Sequence, residues 1–239
     1  MTHKFSLSGG LGDCIRQCFM HDGYFRLSSE ERGECVIHSH NAFTDELVKW
    51  HPAVMEGRWA VVKKIFDPPS HDNSTLGDNV PAGYIPTFYG ADEEKLARLV
   101  PEGSYVVIAP DAGNHGKSLS DEVLKEALCS YWLDLPIVLV GNTNPGAGSN
   151  IYRGKDKIFQ NVIDLRNQLN VPETIETVKN ARRVYTAHSA VNIIAWLYDI
   201  PQTVCLPRQL HYDIYLSGTH TPSQHDYGMN NVYSRMIIY

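Results

Sequence analysis

No stretch of the 239-residue sequence approaches the roughly 18 consecutive apolar residues that a membrane-spanning helix needs. The opening residues MTHKFSLSGG also lack the apolar core of a secretory signal. A cytoplasmic protein without a membrane span is therefore expected. Cysteine is scarce and unpaired in pattern. Cys14, Cys18, Cys35, Cys129 and Cys205 are odd in number and show no C-x-x-C spacing, which argues against a disulfide framework or a zinc ribbon and for reduced, mostly buried thiols. No block of five or six lysines and arginines occurs and the formal net charge is −6, which counts against nucleic acid as a main partner. What is present is ordinary for a folded chain: 43% hydrophobic and 20% charged residues, with 13 Tyr and 11 His, exclude a disordered or fibrous protein.

Alternation of strand and helix patterns runs through the chain. KFSLS (4–8) reads as a strand ended by Gly9 and Gly10, and LGDCIRQCFMH places Ile15, Cys18 and Phe19 on one helical face. Strands are expected at 34–40 and 58–66 around a helix at 42–50. Residues 67–90 hold four of the 13 prolines and little periodicity, so they read as an extended loop. A helix at 91–100 leads to Pro101-Glu102-Gly103, a hinge between two halves. Beyond it, strands are expected at 105–110, 136–141, 161–165, 183–189 and 202–207, and helices at 120–132, 172–181 and 190–199, the second with Pro172 in its first turn. Strands separated by helices imply parallel pairing with helices on both faces. The expected architecture is α/β with parallel sheets in two Rossmann-like lobes: residues 1–102, short, and 103–239, with a C-terminal tail. The tail, rich in His and Tyr, reads as a surface packing segment.

Three strand-to-helix loops carry the candidate chemistry. In APDAGNHGKS (109–118), Gly116-Lys117-Ser118 follow a strand and precede a helix, as a phosphate-binding loop would. A P-loop needs glycine four residues and one more before Gly116, and that position is Asp111, whose carboxylate would repel phosphate. A P-loop kinase or NTPase is thus the minor reading. Lys117 can instead act as a point charge beside the positive end of the following helix. In GGLGD (9–13), glycines lie where backbone can approach a ligand, and Asp13 either points into a cleft or caps a helix. In TAHSAVN (186–192), Ser189 and the small Ala190 stand at a strand-to-helix junction, as an anion seat or as an ordinary N-cap. His38, His40 and Asn41 stand at the end of the second strand, where the two histidines, at i and i+2, either face a ligand from one side of the strand or are ordinary structural residues; no nearby carboxylate completes a metal triad with them.

Together these stretches resemble the ADP-heptose:lipopolysaccharide heptosyltransferase family, inverting glycosyltransferases of the GT-B fold. SGGLGD (8–13) is similar to the family's S-x-G-D-type opening loop. VVIAPDAGNHGKSLSDEVLKEAL is similar to the strand, lysine-bearing turn and helix that open its second lobe. HSAVNIIAWLYDIP (188–201) matches the length of the family pattern D-S-G-x-x-H-L-A-A-A-L-G-x-P without a gap, with Ser189, Ala195 and Pro201 in direct correspondence. His188 replaces the family's acid, Ala190 its glycine and Ile193 its histidine. The G-G-L-G start is also similar to fucosyltransferases.

The resemblance implies sugar transfer with inversion from a nucleotide sugar to an acceptor hydroxyl, with residues 1–102 as the acceptor lobe and 103–239 as the nucleotide-sugar donor lobe. It makes Asp13 the base and Lys117 the charge on the departing diphosphate. Gly10, Gly12, Gly116, Ser118, His188, Ser189, Ala190, Asn192 and His40 become substrate-binding residues. No cofactor is implied beyond the nucleotide-sugar co-substrate, and no metal: the sequence contains no D-x-D, the pattern metal-dependent GT-A enzymes use. The implied acceptor is a glycan or a modified base in DNA. A catalytically inactive sugar- or nucleotide-binding protein of the same fold is the alternative, because of the replacements at 188, 190 and 193.

Overall fold

The computed structural model describes residues 3–7, 11–12, 14–15, 17–18, 33–37, 42–63, 88–112, 118–120, 122–123, 135–142, 161–208 and 235–238. The chain divides into two compact units, Met1–Ala91 and Asp92–Tyr239. None of the described helices is long and apolar enough to cross a membrane.

The first unit is built on three parallel strands in the order β1 (His3–Leu7), β2 (Gly33–Ile37) and β3 (Trp59–Lys63), in register Phe5↔Cys35↔Val61. Described residues among 11–18 are helical, and Cys14, Ile15 and Cys18 are buried, as their three- and four-residue spacing requires. Helix α1 (Ala42–Lys49) buries Thr44, Leu47 and Val48, again one face of a helix. Thr44 Oγ1 donates to Cys14 Sγ at 3.5 Å. Burial raises the Cys35 thiol far above its ordinary range, with Cys14 adding to the effect, so this thiol stays protonated.

A short helix α2 (Pro52–Met55), not expected from the sequence, turns the chain toward β3. His51 caps it: its Nδ1 accepts the Ala53 N–H at 3.1 Å, and Pro52 sits where a missing N–H costs nothing. The His51 ring stacks on Trp59 with centroids 4.2 Å apart and meets Phe88 edge-on at 5.7 Å. Gly57, at φ +69°, ends the helix in the left-handed conformation, and Arg58 N–H returns to Ala53 O at 2.8 Å.

The second unit is a six-stranded, all-parallel sheet. Its strands are β4 (Val106–Ala109), β5 (Ile137–Leu139), β6 (Val162–Asp164), β7 (Arg183–Ala187), β8 (Gln202–Leu206) and β9 (Arg235–Ile238), in spatial order β6-β5-β4-β7-β8-β9. Val106, Ile108, Ile137, Leu139, Tyr185, Ala187 and Cys205 form a core on one face, joined by Ala112, Leu119 and Val123. The alternate residues Val107, Val138, Val184 and Val204 are buried on the other. Burial on both faces explains why β4 and β5 read as unbroken apolar runs rather than alternating ones. The tail contributes β9, which extends the sheet beside β8 with Thr203↔Arg235 and Leu206↔Ile238 in register. Here the expectation of a surface segment gives way: Met236, Ile237 and Ile238 are residues that strands favour.

Besides the helical residues 122–123, three helices belong to the described part of this unit. Helix α3 (Glu93–Leu99) is capped by Asp92, and its Lys95 Nζ donates to Glu173 Oε2 and to Gln168 O, both at 2.7 Å. That contact ties α3, which precedes the Pro101-Glu102-Gly103 turn, to the second unit. Helix α4 (Val171–Lys179) starts with a reciprocal capping box between Asn170 and Glu173, and buries Val171, Ile175 and Val178. Tyr105 Oη donates to Thr177 O at 2.8 Å, packing the start of the sheet against α4. Helix α5 (Ala190–Leu197) buries Val191, Ile193, Ile194 and Ala195 and ends with Asp199 at φ +55°, its closing bond running from Ile200 N–H to Ala195 O at 2.8 Å.

Candidate functional site

In an open parallel sheet the crevice for a ligand forms outside the carboxyl ends of the strands, where neighbouring connections leave in opposite directions. The order β6-β5-β4-β7-β8-β9 has one such reversal. From β4 the chain moves outward to β5 and β6, then returns to the other side of β4 for β7 and beyond. The candidate site therefore lies at the ends of β4 and β7, whose pairing runs to Ala109↔Thr186.

After β4 come Pro110, Asp111 and Ala112. The loop closes on itself at Ser118 and Leu119: Leu119 N–H donates to Pro110 O at 2.8 Å, and Ala112 N–H to Ser118 Oγ at 3.3 Å. Ser118 thus pins the base of the loop. After β7, His188 is half-buried and Ser189 caps α5, its Oγ accepting the Val191 N–H at 3.3 Å. Asn192 completes a capping box by accepting the Ser189 N–H through Oδ1 at 2.9 Å. Ser189 Oγ also lies 3.1 Å from Thr186 Oγ1. Ala190 is the first residue of the helix, at the positive end of its dipole, and without a longer side chain it leaves backbone approachable.

A charged cluster that the sequence did not reveal occupies the β4–β5–β6 side of the same edge. Arg166, just past β6, grips Asp164 with two bonds: Nε to Oδ1 at 2.8 Å and Nη2 to Oδ2 at 2.7 Å. Its other terminal nitrogen, Nη1, lies 3.6 Å from Asp111 Oδ2. The Arg166 and Asp111 side chains are only 4% and 3% exposed, whereas that of Asp164 is 45% exposed. The intervening turn is held by Asn167 N–H on Gly141 O at 2.9 Å, with Asn167 at φ +60° and Gly141 at φ +104°. Asp111 is the residue whose charge argued against a P-loop, and it carries an arginine as counter-ion. D-L-R (164–166) offered a signal, because an arginine two residues past an aspartate at a strand end can reach back to it.

Of the residues expected at the site, Ser118, His188, Ser189, Ala190 and Asn192 fall at the ends of β4 and β7 in the second unit. Gly12 is helical and half-buried in the first unit. Asp13, Lys117, Gly10, Gly116 and His40 lie outside the described residues.

The sequence matches no protein-family model and no curated protein. Solved structures are similar. One is the E. coli ADP-heptose lps heptosyltransferase II, at a TM-score of 0.62 and 11% identity, covering 99% of this chain and 90% of that one. The E. coli heptosyltransferase WaaC is similar in two states. With ADP, the TM-score is 0.53 at 12% identity, covering 86% of this chain and 87% of that one. With ADP-2-deoxy-2-fluoro heptose, it is 0.53 at 9% identity, covering 100% and 93%. The chain, mixed α/β with parallel sheets in both units, has the fold of these GT-B glycosyltransferases.

Proposed function

We propose that the protein is a glycosyltransferase that moves a sugar from a nucleotide-sugar donor to an acceptor hydroxyl, with inversion and without a metal. The observation that carries this reading is the reversal of strand order between β4 and β7, which sets the Ser118 loop beside the start of α5. Such a place suits a diphosphate, through helix N–H groups and dipole together. Lys117, one residue before the pinned Ser118, adds positive charge for the leaving diphosphate. Asp13, which follows β1 in the sequence, takes the acceptor proton as the acceptor oxygen attacks the anomeric carbon and the bond to the diphosphate breaks. The acceptor is a glycan or a modified base in DNA.

A second reading, a sugar- or nucleotide-binding protein without turnover, draws on α5. Ile193, standing where the heptosyltransferases have histidine, is buried in the core, and Ser189 and Asn192 bond to each other's backbone. Thermal-shift screening across ADP, UDP, GDP, CMP and their sugars tests both readings. A ligand selective for the folded state at about 100 times its Kd adds roughly 2.7 kcal/mol to stability. Stabilisation by a nucleoside diphosphate together with consumption of its sugar conjugate supports transfer. Stabilisation without consumption supports the binding protein, and no stabilisation by any nucleotide contradicts both.

A further inference from the structure

Asp111 poses an electrostatic problem for a diphosphate at the end of β4, since its carboxylate sits in the loop that would receive the anion. The geometry points to Arg166 as the residue that solves it: a charge-compensating positioning residue whose guanidinium neutralises Asp111 and so lets the β4 loop accept a nucleoside diphosphate. This inference rests on the nucleotide-sugar reading above.

Three observations carry it. Arg166 and Asp111 are both almost fully buried, and their charged atoms are 3.6 Å apart, so little water screens their interaction. Arg166 is not free to turn away, because Asp164 holds it through two parallel bonds and also accepts the Arg166 N–H at 3.1 Å. The backbone that carries Asp111 is held as well: Pro110 O and Ala112 N–H on either side of it bond to Leu119 and Ser118. The buried carboxylate therefore meets an arriving anion with Arg166 beside it. Its effect on the anion is decided by its counter-ion.

Two aspartates and one arginine give the cluster a formal charge of 1 − 2 = −1. Single substitutions change this in opposite directions. Asp111→Asn brings it to 0, Arg166→Gln to −2, and the double variant returns it to −1. If the cluster acts on a bound diphosphate through charge, affinity must follow that ladder, while affinity for the uncharged nucleoside does not. A residue that merely supports the fold would shift both ligands together and would not be rescued by the second substitution.

The experiment is calorimetric titration of the full chain and its three variants with ADP, GDP or UDP, whichever stabilises the protein most, and with the matching nucleoside. Arg166→Gln is expected to weaken diphosphate binding by at least about tenfold relative to the nucleoside, and Asp111→Asn to strengthen it by a few-fold. The double variant should return to near the starting value, and the Arg166→Gln loss should shrink as salt is raised. Equal losses for both ligands, or a double variant as weak as Arg166→Gln alone, overturn the inference while leaving the nucleotide reading intact. If Arg166→Gln does not fold, Asp111→Asn decides alone, because its Arg166–Asp164 pair remains: unchanged or weaker diphosphate binding overturns the proposal. Failure of the unsubstituted chain to bind any nucleotide overturns the nucleotide reading, and this inference with it.

Discussion

The two units share a parallel α/β plan and differ in strand order. Among the described residues the first unit runs β1-β2-β3 without a reversal, whereas the second turns back on itself between β4 and β7. The buried polar groups differ as well. In the first unit the described ones serve packing and turns: Thr44 on Cys14, and His51 under Trp59 at the start of α2. In the second unit four of them, Asp111, Arg166, Thr186 and Asn192, flank the strand reversal at the carboxyl ends of β4, β6 and β7, while Glu173 and Thr177 belong to α4 and Gln202 and Thr203 to the start of β8. Burying charge is costly unless it is paired. The buried Asp111–Arg166 pair at the strand reversal has no counterpart among the described residues of the first unit, and it is there that the proposed nucleotide site lies.

That contrast can be broken in graded steps. Asp13→Ala in the first unit is expected to lower transfer by about 10²- to 10⁴-fold while leaving nucleotide affinity nearly unchanged. Lys117→Ala in the second should weaken diphosphate far more than nucleoside. Steady-state turnover and calorimetry on both variants check the division of roles, and loss of nucleotide binding in Asp13→Ala would erase it. Next in size is Glu173→Gln, which removes the charge that Lys95 meets at 2.7 Å and that closes the α4 capping box. Breaking a buried pair costs about 3–5 kcal/mol when the charge left behind is itself buried; Lys95 is 30% exposed and glutamine still offers it an oxygen, so about 2 kcal/mol is expected. Hydrogen exchange should show the loss in α3 and α4, with β1–β3 unchanged.

His51→Ala is the mirror test in the first unit. It removes a cap worth about 1 kcal/mol and a ring stack worth roughly as much, and exchange should quicken around α2 and β3 alone. The smallest effect concerns alkaline pH. Burial, with the charge of Glu176 adding to it, pushes the Tyr105 hydroxyl up to about 12 from an ordinary 10. The unfolded chain then loses this proton before the folded one, so stability present below pH 10 declines as pH rises toward 12. Between pH 10 and 11 the decline should be about 1 kcal/mol. Denaturant unfolding of Tyr105→Phe against the parent should show this part of the decline abolished.

Much of the fold was legible because its signals are local. The apolar runs at β4 and β5, the Pro172 start of α4 and the Ser189 start of α5 each depend on residues within one turn or strand. The sequence misses share a different cause. Strand β9 was hidden inside a tail dominated by His and Tyr, and only pairing with β8 reveals it. Short α2 depends on a histidine cap, outside the usual set of Ser, Thr, Asp and Asn. The Asp111–Arg166 pair joins two strand ends that meet only after β5 has been laid between β4 and β6. Pro101-Glu102-Gly103 supplies turn chemistry, with Gly103 at φ +83°, but Lys95 on Glu173 is what fastens α3 to the second unit. Ser118, His188, Ser189, Ala190 and Asn192 were legible as loop residues, and strand order supplies their grouping.

The most direct test of the account is amide NMR mapping of the full chain as the nucleoside diphosphate selected by thermal shift is added. The account predicts shifts concentrated at Ala112, Ser118, Ser189, Ala190 and Val191, at the ends of β4 and β7. Shifts confined to the amino ends of those strands, or to β1–β3, would contradict it.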